Sequence, residues 1–362
     1  MPRSLAVAIV AVLVSCRTAG PGATADLDAV AAERLAAHHV PGAAVAIVVD
    51  RRVIVRSYGV ADVDSGAKVN ENTVFEAASI GKAVFAYAVL RLADEGLIDL
   101  DKPLQSYLSA PYIADPRGAR ITARMVLAHR TGLPNWRGND QTLRLIRDPD
   151  SRFGYSGEGF LFLQTVIEAI THQPIDAVMR REVFEPLGMS QSSYVWLPSY
   201  DDAKAWGHTA EGKRWRRRKP QAANVAATLH TTAADLGAFA AALIGGRGLS
   251  PSAAAEYFRT QSAVPANFAG SSEQAPEESA DVSWGLGIGL LRVAGRQFFW
   301  HWGDNGDFKA YLFGSRQRKL AIVVLTNGAN GLAIAGELAR VALRDPMFAT
   351  PAVRPLQWLG YR

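Results

Sequence analysis

Ser79 and Lys82 lie three residues apart in EAASIGKAVFAYAV, residues 76 to 89. Residues at this spacing share one face of an α-helix, so the alcohol and the amine can touch. Ala83 to Leu90 is apolar around nearly the whole circumference, which predicts a buried helix. Burial disfavours an ammonium and lowers its pKa, making Lys82 able to accept a proton from Ser79. Backbone N–H groups at the helix start also favour negative charge developing there. That chemistry is nucleophilic acyl transfer. The competing reading makes Ser79 a helix cap and Lys82 a surface residue. Two other motifs fail. A phosphate loop needs Gly where Glu76 stands and Ser or Thr where Ala83 stands. No serine has the Gly-x-Ser-x-Gly setting of an α/β-hydrolase.

The elements that must position such a pair can be read on either side of it. Residues 27 to 39 repeat apolar positions at helical spacing (Leu27, Val30, Leu35). AAVAIVVD and RRVIVRSYG predict two strands joined around Asp50-Arg51. Helical patterns dominate from Ser79 to about Leu243. The clearest is TTAADLGAFAAALIGG, which Thr232 can cap, with Asp235 three residues on and Gly245-Gly246 at its end. ANFAGSSEQAPEESADV, residues 266 to 282, predicts a polar loop. Strand signals return in WGLGIGLLRV, RQFFWHW, KAYLFGS and KLAIVVLTN, before a final helix over 331 to 344. The predicted fold class is α+β: an antiparallel sheet built from both chain ends with flanking helices, plus an inserted mainly helical region. The sheet part covers 28–75 and 283–345, the helical part 76–282, and the cleft between them should hold the site.

Two further segments supply chemistry at a distance. RFGYSGEGF places Tyr155 before a Ser-Gly turn that opens a helix, and FFWHWGDNGDF puts His301 on a strand ending at Gly303. In this order the chain resembles the penicillin-recognising serine hydrolases: class C β-lactamases, DD-peptidases and esterases of β-lactamase fold. That family carries Ser-x-x-Lys, then Tyr-x-Asn, then Lys- or His-x-Gly. GLIDLDKPLQSYL, ITARMVLAHRTGLPNW, PLGMSQSSYVW and LAIVVLTNG extend the resemblance over residues 28 to 345. It implies Ser79 as nucleophile, Lys82 and Tyr155 as the proton-handling pair, and His301 as an electrostatic and hydrogen-bonding partner. It also implies an oxyanion hole from the backbone N–H groups of Ser79 and Asp304, each such donor contributing about 3 kcal/mol. Nearby cations should lower the Tyr155 pKa from its free value near ~10. An imidazolium at His301 would make activity on anionic substrates fall as pH rises through its pKa.

Two positions depart from the family pattern. Gly157 stands where the family's Asn binds an acylamide, and Trp302 replaces a small or hydroxyl residue. Ser156, Gly157, Trp302 and Gly303 are expected to contact substrate, with Trp136 and Trp206 at the mouth. The departures argue against efficient turnover of common β-lactams and favour an ester, amide or short peptide with an apolar group beside the scissile bond. The alternatives are a β-lactamase or DD-carboxypeptidase, and a slow sensor of cell-wall fragments.

Composition bounds the setting. The chain has 362 residues, about half of them apolar, and a single cysteine, Cys16, so disulfides within one chain are excluded. MPRSLAVAIVAVLVSC predicts an export signal over 1–16, and LVSC resembles a bacterial lipobox in which Cys16 is acylated. A tether follows at 17–27, and a Pro-containing tail closes the chain at 346–362. The expected location is the bacterial periplasm or cell envelope, with a lipid anchor on Cys16 as membrane partner. Net charge is +5, set by KRWRRRK (Lys213 to Lys219), without which the balance is slightly negative. The run reads as a solvated loop rather than a nucleic-acid patch. The histidines lack metal-ligand spacing, so no metal and no cofactor is expected. The partner is a small-molecule or peptide substrate.

Overall fold

In β1 (Gly42–Val49) buried residues run almost unbroken, and their alternation explains why. Ala44, Ala46 and Val48 face one core, whereas Ala43, Val45 and Ile47 face another. A strand sends successive side chains to opposite faces, so this strand must be covered on both. It lies inside an eight-stranded sheet of order β2-β1-β10-β9-β8-β7-β6-β5. The remaining strands are β2 (Arg52–Gly59), β3 (Phe75–Glu76), β4 (His230–Thr231), β5 (Ser262–Pro265), β6 (Glu278–Trp284), β7 (Gly289–Val293), β8 (Arg296–Asp304), β9 (Lys309–Ser315) and β10 (Leu320–Thr326). β3 and β4 form a separate small ladder. The computed structural model describes residues 21–139, 141–269, 277–344 and 346–361. The predicted export signal with Cys16 and the middle of the predicted polar loop lie outside the described residues.

Every neighbouring pair in the large sheet is antiparallel, and Ala43 pairs with Thr326, so the two chain ends share one sheet. This is the predicted α+β class. The β1–β2 hairpin turns at Asp50-Arg51, with Asp50 at φ 60°, the left-handed geometry that short hairpin turns demand. One face carries α1 (Pro21–Ala37) and the helix Gly331–Leu343. The other carries α2 (Ile80–Asp94), α3 (Ala123–Leu127), α4 (Gly157–Thr171) and the helix Ala233–Gly245. The last is capped as predicted: Thr232 accepts from the Asp235 N–H, and Gly246 ends it at φ 63°. Among the described residues no helix is long and apolar enough to cross a membrane.

Three predicted boundaries shift. The tether at 17–27 gives way to α1 from Pro21. The polar loop at 266–282 yields part of its length to β6, so the helical part ends before β5 rather than at 282. Ser279 and Asp281 keep that strand polar on one side, which hid it from an apolar count. The tail at 346–362 is not a loose appendage. Its helix Arg354–Trp358 buries Trp358 against Trp300, Trp302 and Phe268, and the Trp358 indole donates to the Pro265 carbonyl at 2.7 Å.

Candidate active site

Ser79 is the residue before the first turn of α2, but its hydroxyl does not cap that helix. It accepts instead from the Lys82 ammonium, Nζ to Oγ 3.0 Å. Lys82 is fully buried, which excludes the surface reading. Its second acceptor is the Ala226 carbonyl at 2.8 Å, and the Ser79 hydroxyl donates to that same oxygen at 3.4 Å. No carboxylate offsets the desolvation, and burial alone pulls the Lys82 pKa down to about 7. At neutral pH a large fraction of this amine is therefore unprotonated. Just ahead of the serine, Ala78 sits at φ 48°, a left-handed conformation that costs about 1 kcal/mol for a residue with a Cβ.

Tyr155 reaches the same place from the segment before α4. Its ring centroid is 5.0 Å from Lys82 Nζ, and the Trp136 ring is 5.8 Å away on another side. The expectation that cations lower the phenol is overturned. Burial pushes Tyr155 well above its ordinary value, and the nearby Ser79 hydroxyl only partly opposes this. No full hydrogen bond joins the two hydroxyls. The phenol thus stays protonated in the resting site.

His301 lies on the α2 side of β8 and is also fully buried. Its Nδ1 is 2.7 Å from the Trp302 carbonyl, so Nδ1 carries the hydrogen and Nε2 keeps a lone pair. Burial first, then the Lys82 charge, lowers its pKa to about 3. The expected imidazolium is absent at neutral pH, so the predicted fall of activity as it titrates does not follow.

β7 pairs with β8 only as far as Trp300, whereas β9 continues to Asp304. Beyond Trp300 the β8 edge away from β9 is unpaired among the named strands. Gly303 brings this edge against the nucleophile's lead-in: a Cβ there would lie 2.1 Å from the Ala77 carbonyl oxygen. The Asp304 backbone N–H follows directly. A buried strut joins the same two segments. Glu76 accepts from Lys204 at 3.0 Å and from the Asn305 amide at 2.7 Å.

The predicted substrate contacts divide. Ser156 does not face substrate. Its hydroxyl caps α4 by accepting from the Gly159 N–H at 3.0 Å and donates to the Pro134 carbonyl at 2.7 Å. Trp302, 7% exposed, packs against side chains of the site: its ring is 4.9 Å from Tyr155 and stacks on both Trp300 and His301. Gly157 does border the site. A Cβ there would meet the Trp136 ring at 2.7 Å, so the missing side chain makes room for an indole. Trp136 is 45% exposed over Lys82, the mouth position expected of it. Trp206 is not there; Arg214 stacks on it at 3.4 Å. Glu158 is held by Arg137 at 2.6 Å.

Four of the six basic residues in the run are paired with carboxylates. Arg214 pairs with Asp62 and Asp64, Arg216 and Arg218 with the buried Asp307, and Lys219 with Asp201. Arg216 and Arg218 also donate to the Asn305 carbonyl, so the run straps down the β8–β9 turn. Two residues escaped the sequence reading. Glu76 enters it only as the residue standing where a phosphate loop needs Gly, and His129 is one of several histidines without metal spacing.

The Beta-lactamase family model matches residues 27–344. Penicillin-binding protein 4 of Amycolatopsis lactamdurans is 32% identical over 171 residues, covering 43% of this chain and 45% of that protein. The chain thus spans under half the length of that curated relative. Among solved structures, a class C beta-lactamase superposes with a TM-score of 0.77 at 17% identity, over 91% of this chain and 98% of its own. A beta-lactamase/D-alanine carboxypeptidase from Pseudomonas syringae gives 0.75 at 18% identity, over 90% and 99%. At these identities the superpositions establish the fold.

Proposed function

The chain belongs to the beta-lactamase family, and from that premise we propose that it is a serine hydrolase cleaving an ester or amide through an acyl-enzyme on Ser79. One observation carries the reading: a fully buried Lys82, 3.0 Å from the Ser79 hydroxyl and depressed to about 7. Neutral Lys82 takes the Ser79 proton as Oγ attacks the carbonyl carbon. The oxyanion is received by the N–H groups of Ser79 and Asp304. The protonated Tyr155 phenol gives its proton to the departing alkoxide or amine and regains one from Lys82. Water then attacks the acyl carbon, its proton follows the same route, and the acid leaves with Ser79 restored. Work at the cell envelope, with Cys16 acylated, is part of the proposal.

Trp136 beside Gly157 favours acyl groups with a flat apolar face over acylamides, because an indole replaces the amide that would hydrogen-bond one. A fluorophosphonate should add to Ser79, as intact mass and peptide mapping would reveal. A panel of p-nitrophenyl esters, D-amino-acid amides, D-Ala-D-Ala peptides and a chromogenic cephalosporin should then rank esters first. A protein that is labelled but turns over nothing would be a sensor instead.

The specificity claim has its own test. Gly157→Asn alone should gain nothing, since its Cβ collides with Trp136. Combined with Trp136→Ala, which leaves only the 2.9 Å approach to the Asn135 carbonyl oxygen to be relieved by a small backbone shift, it should raise cephalosporin turnover by about tenfold or more and lower aryl-ester turnover. Equal gains from Gly157→Asn alone would refute the steric argument.

A further inference from the structure

His129 closes three contacts around three consecutive residues. Its carbonyl accepts from the Gly154 N–H at 2.7 Å, and its Nδ1 accepts from the Ser156 N–H at 3.1 Å. Between them its ring lies over the Tyr155 ring, centroids 4.2 Å apart at 31°. The residue is fully buried and holds φ 55°, a strained backbone for a side chain with a Cβ. Because Nδ1 accepts, the ring must be the neutral tautomer with its hydrogen on Nε2. That Nε2 is buried with no partner among the described residues. The ionisable groups facing the ring are Lys82, His301 and Tyr155. Burial first, and then the Lys82 charge, keep the imidazole from protonating. A proton on Nδ1 would set two donors against each other and release the Ser156 N–H.

We propose that His129 is a positioning residue, a clamp that holds the Tyr155 phenol where it can protonate the leaving group. The inference rests on the assignment of Ser79, Lys82 and Tyr155 above, and it adds a residue that never touches substrate. Its mechanism is geometric. Two backbone anchors fix the chain on either side of Tyr155, and the stacked ring fixes the phenol's tilt. A phenol displaced by about 1 Å loses proton transfer to the leaving atom steeply.

Leaving-group dependence separates this role from general scaffolding. A p-nitrophenolate departs without protonation, whereas an alkoxide or amine does not. His129→Phe keeps a stacking ring and loses the acceptor; His129→Asn keeps an acceptor near Nδ1 and tolerates positive φ. The expected result for His129→Phe is a fall in kcat/KM, which reads acylation alone, of roughly 10- to 100-fold on alkyl esters, with kcat/KM for p-nitrophenyl esters within about threefold. Tyr155→Phe should reproduce that selective pattern, and His129→Asn, which keeps the acceptor but loses the stacked ring, should fall between wild type and His129→Phe on alkyl esters. His129→Ala should show the same skew and serves if the Phe variant does not fold. An unchanged alkyl-to-aryl ratio in His129→Phe or His129→Ala, with Tyr155→Phe skewed, overturns the clamp. Hydrolysis that survives Ser79→Ala would instead overturn the acyl-enzyme reading beneath it.

Discussion

Ser79→Ala and Lys82→Met are each expected to lower kcat/KM toward a p-nitrophenyl ester by roughly 10^3- to 10^6-fold, and the double variant should be no worse than the poorer single one. Nucleophile and base act as one unit here. Lys82 donates to Ser79 at 3.0 Å, and its other acceptor among the described residues is a backbone carbonyl, so neither residue has a substitute. The same pair fixes the pH dependence. Lys82 must be unprotonated to take the serine's proton, so kcat/KM for a neutral ester should rise as pH rises through about 7 and then level off. His301, lowered to about 3, adds no limb in the neutral range. A wild-type profile that is flat from about pH 5 to 9, or multiplicative losses in the double variant, would remove Lys82 as the base.

Gly303→Ala should cost about 100-fold in kcat/KM although the substitution adds one methyl group and touches no reacting side chain. The new Cβ would fall 2.1 Å from the Ala77 carbonyl oxygen and 3.1 Å from the Ala310 Cβ. Something must give by about 1 Å. The lead-in resists, since the Ala77 N–H is bonded to the Leu229 carbonyl at 2.8 Å and Ala78 is already in a strained conformation. The β8 edge therefore moves, and with it the Asp304 N–H. Fluorophosphonate labelling kinetics read this directly, because the phosphoryl oxygen uses the same hole. An unaltered labelling rate in a folded Gly303→Ala protein would show that the strand does not supply a donor.

Most strands, the order of the motifs and the Ser79–Lys82 contact are legible in the sequence, because each depends on spacing along one element. What failed depended on direction and competition. Trp302 stacks on His301, ring centroids 5.3 Å apart, and lies 4.9 Å from Tyr155, a packing between segments that strand alternation alone does not predict. Ser156 stood three residues before a backbone N–H that needed a cap, and that demand took its hydroxyl. The signs of the Tyr155 and His301 shifts turned on burial, which no residue count reveals. His129 works through two backbone atoms and a ring face, contacts made between segments that spacing along either one does not connect.

The antiparallel pairing of Ala43 with Thr326 has a consequence for how the protein comes into being. During synthesis the hairpin of β1 and β2, complete at Gly59, emerges early and waits for β10, which starts only at Leu320. α2 likewise has no sheet to lie on until its late partners β8 and β9 have been made, and until then the serine's surroundings are unformed. Such long-range closure makes folding slow, and it leaves the nascent polypeptide open for most of its time on the ribosome.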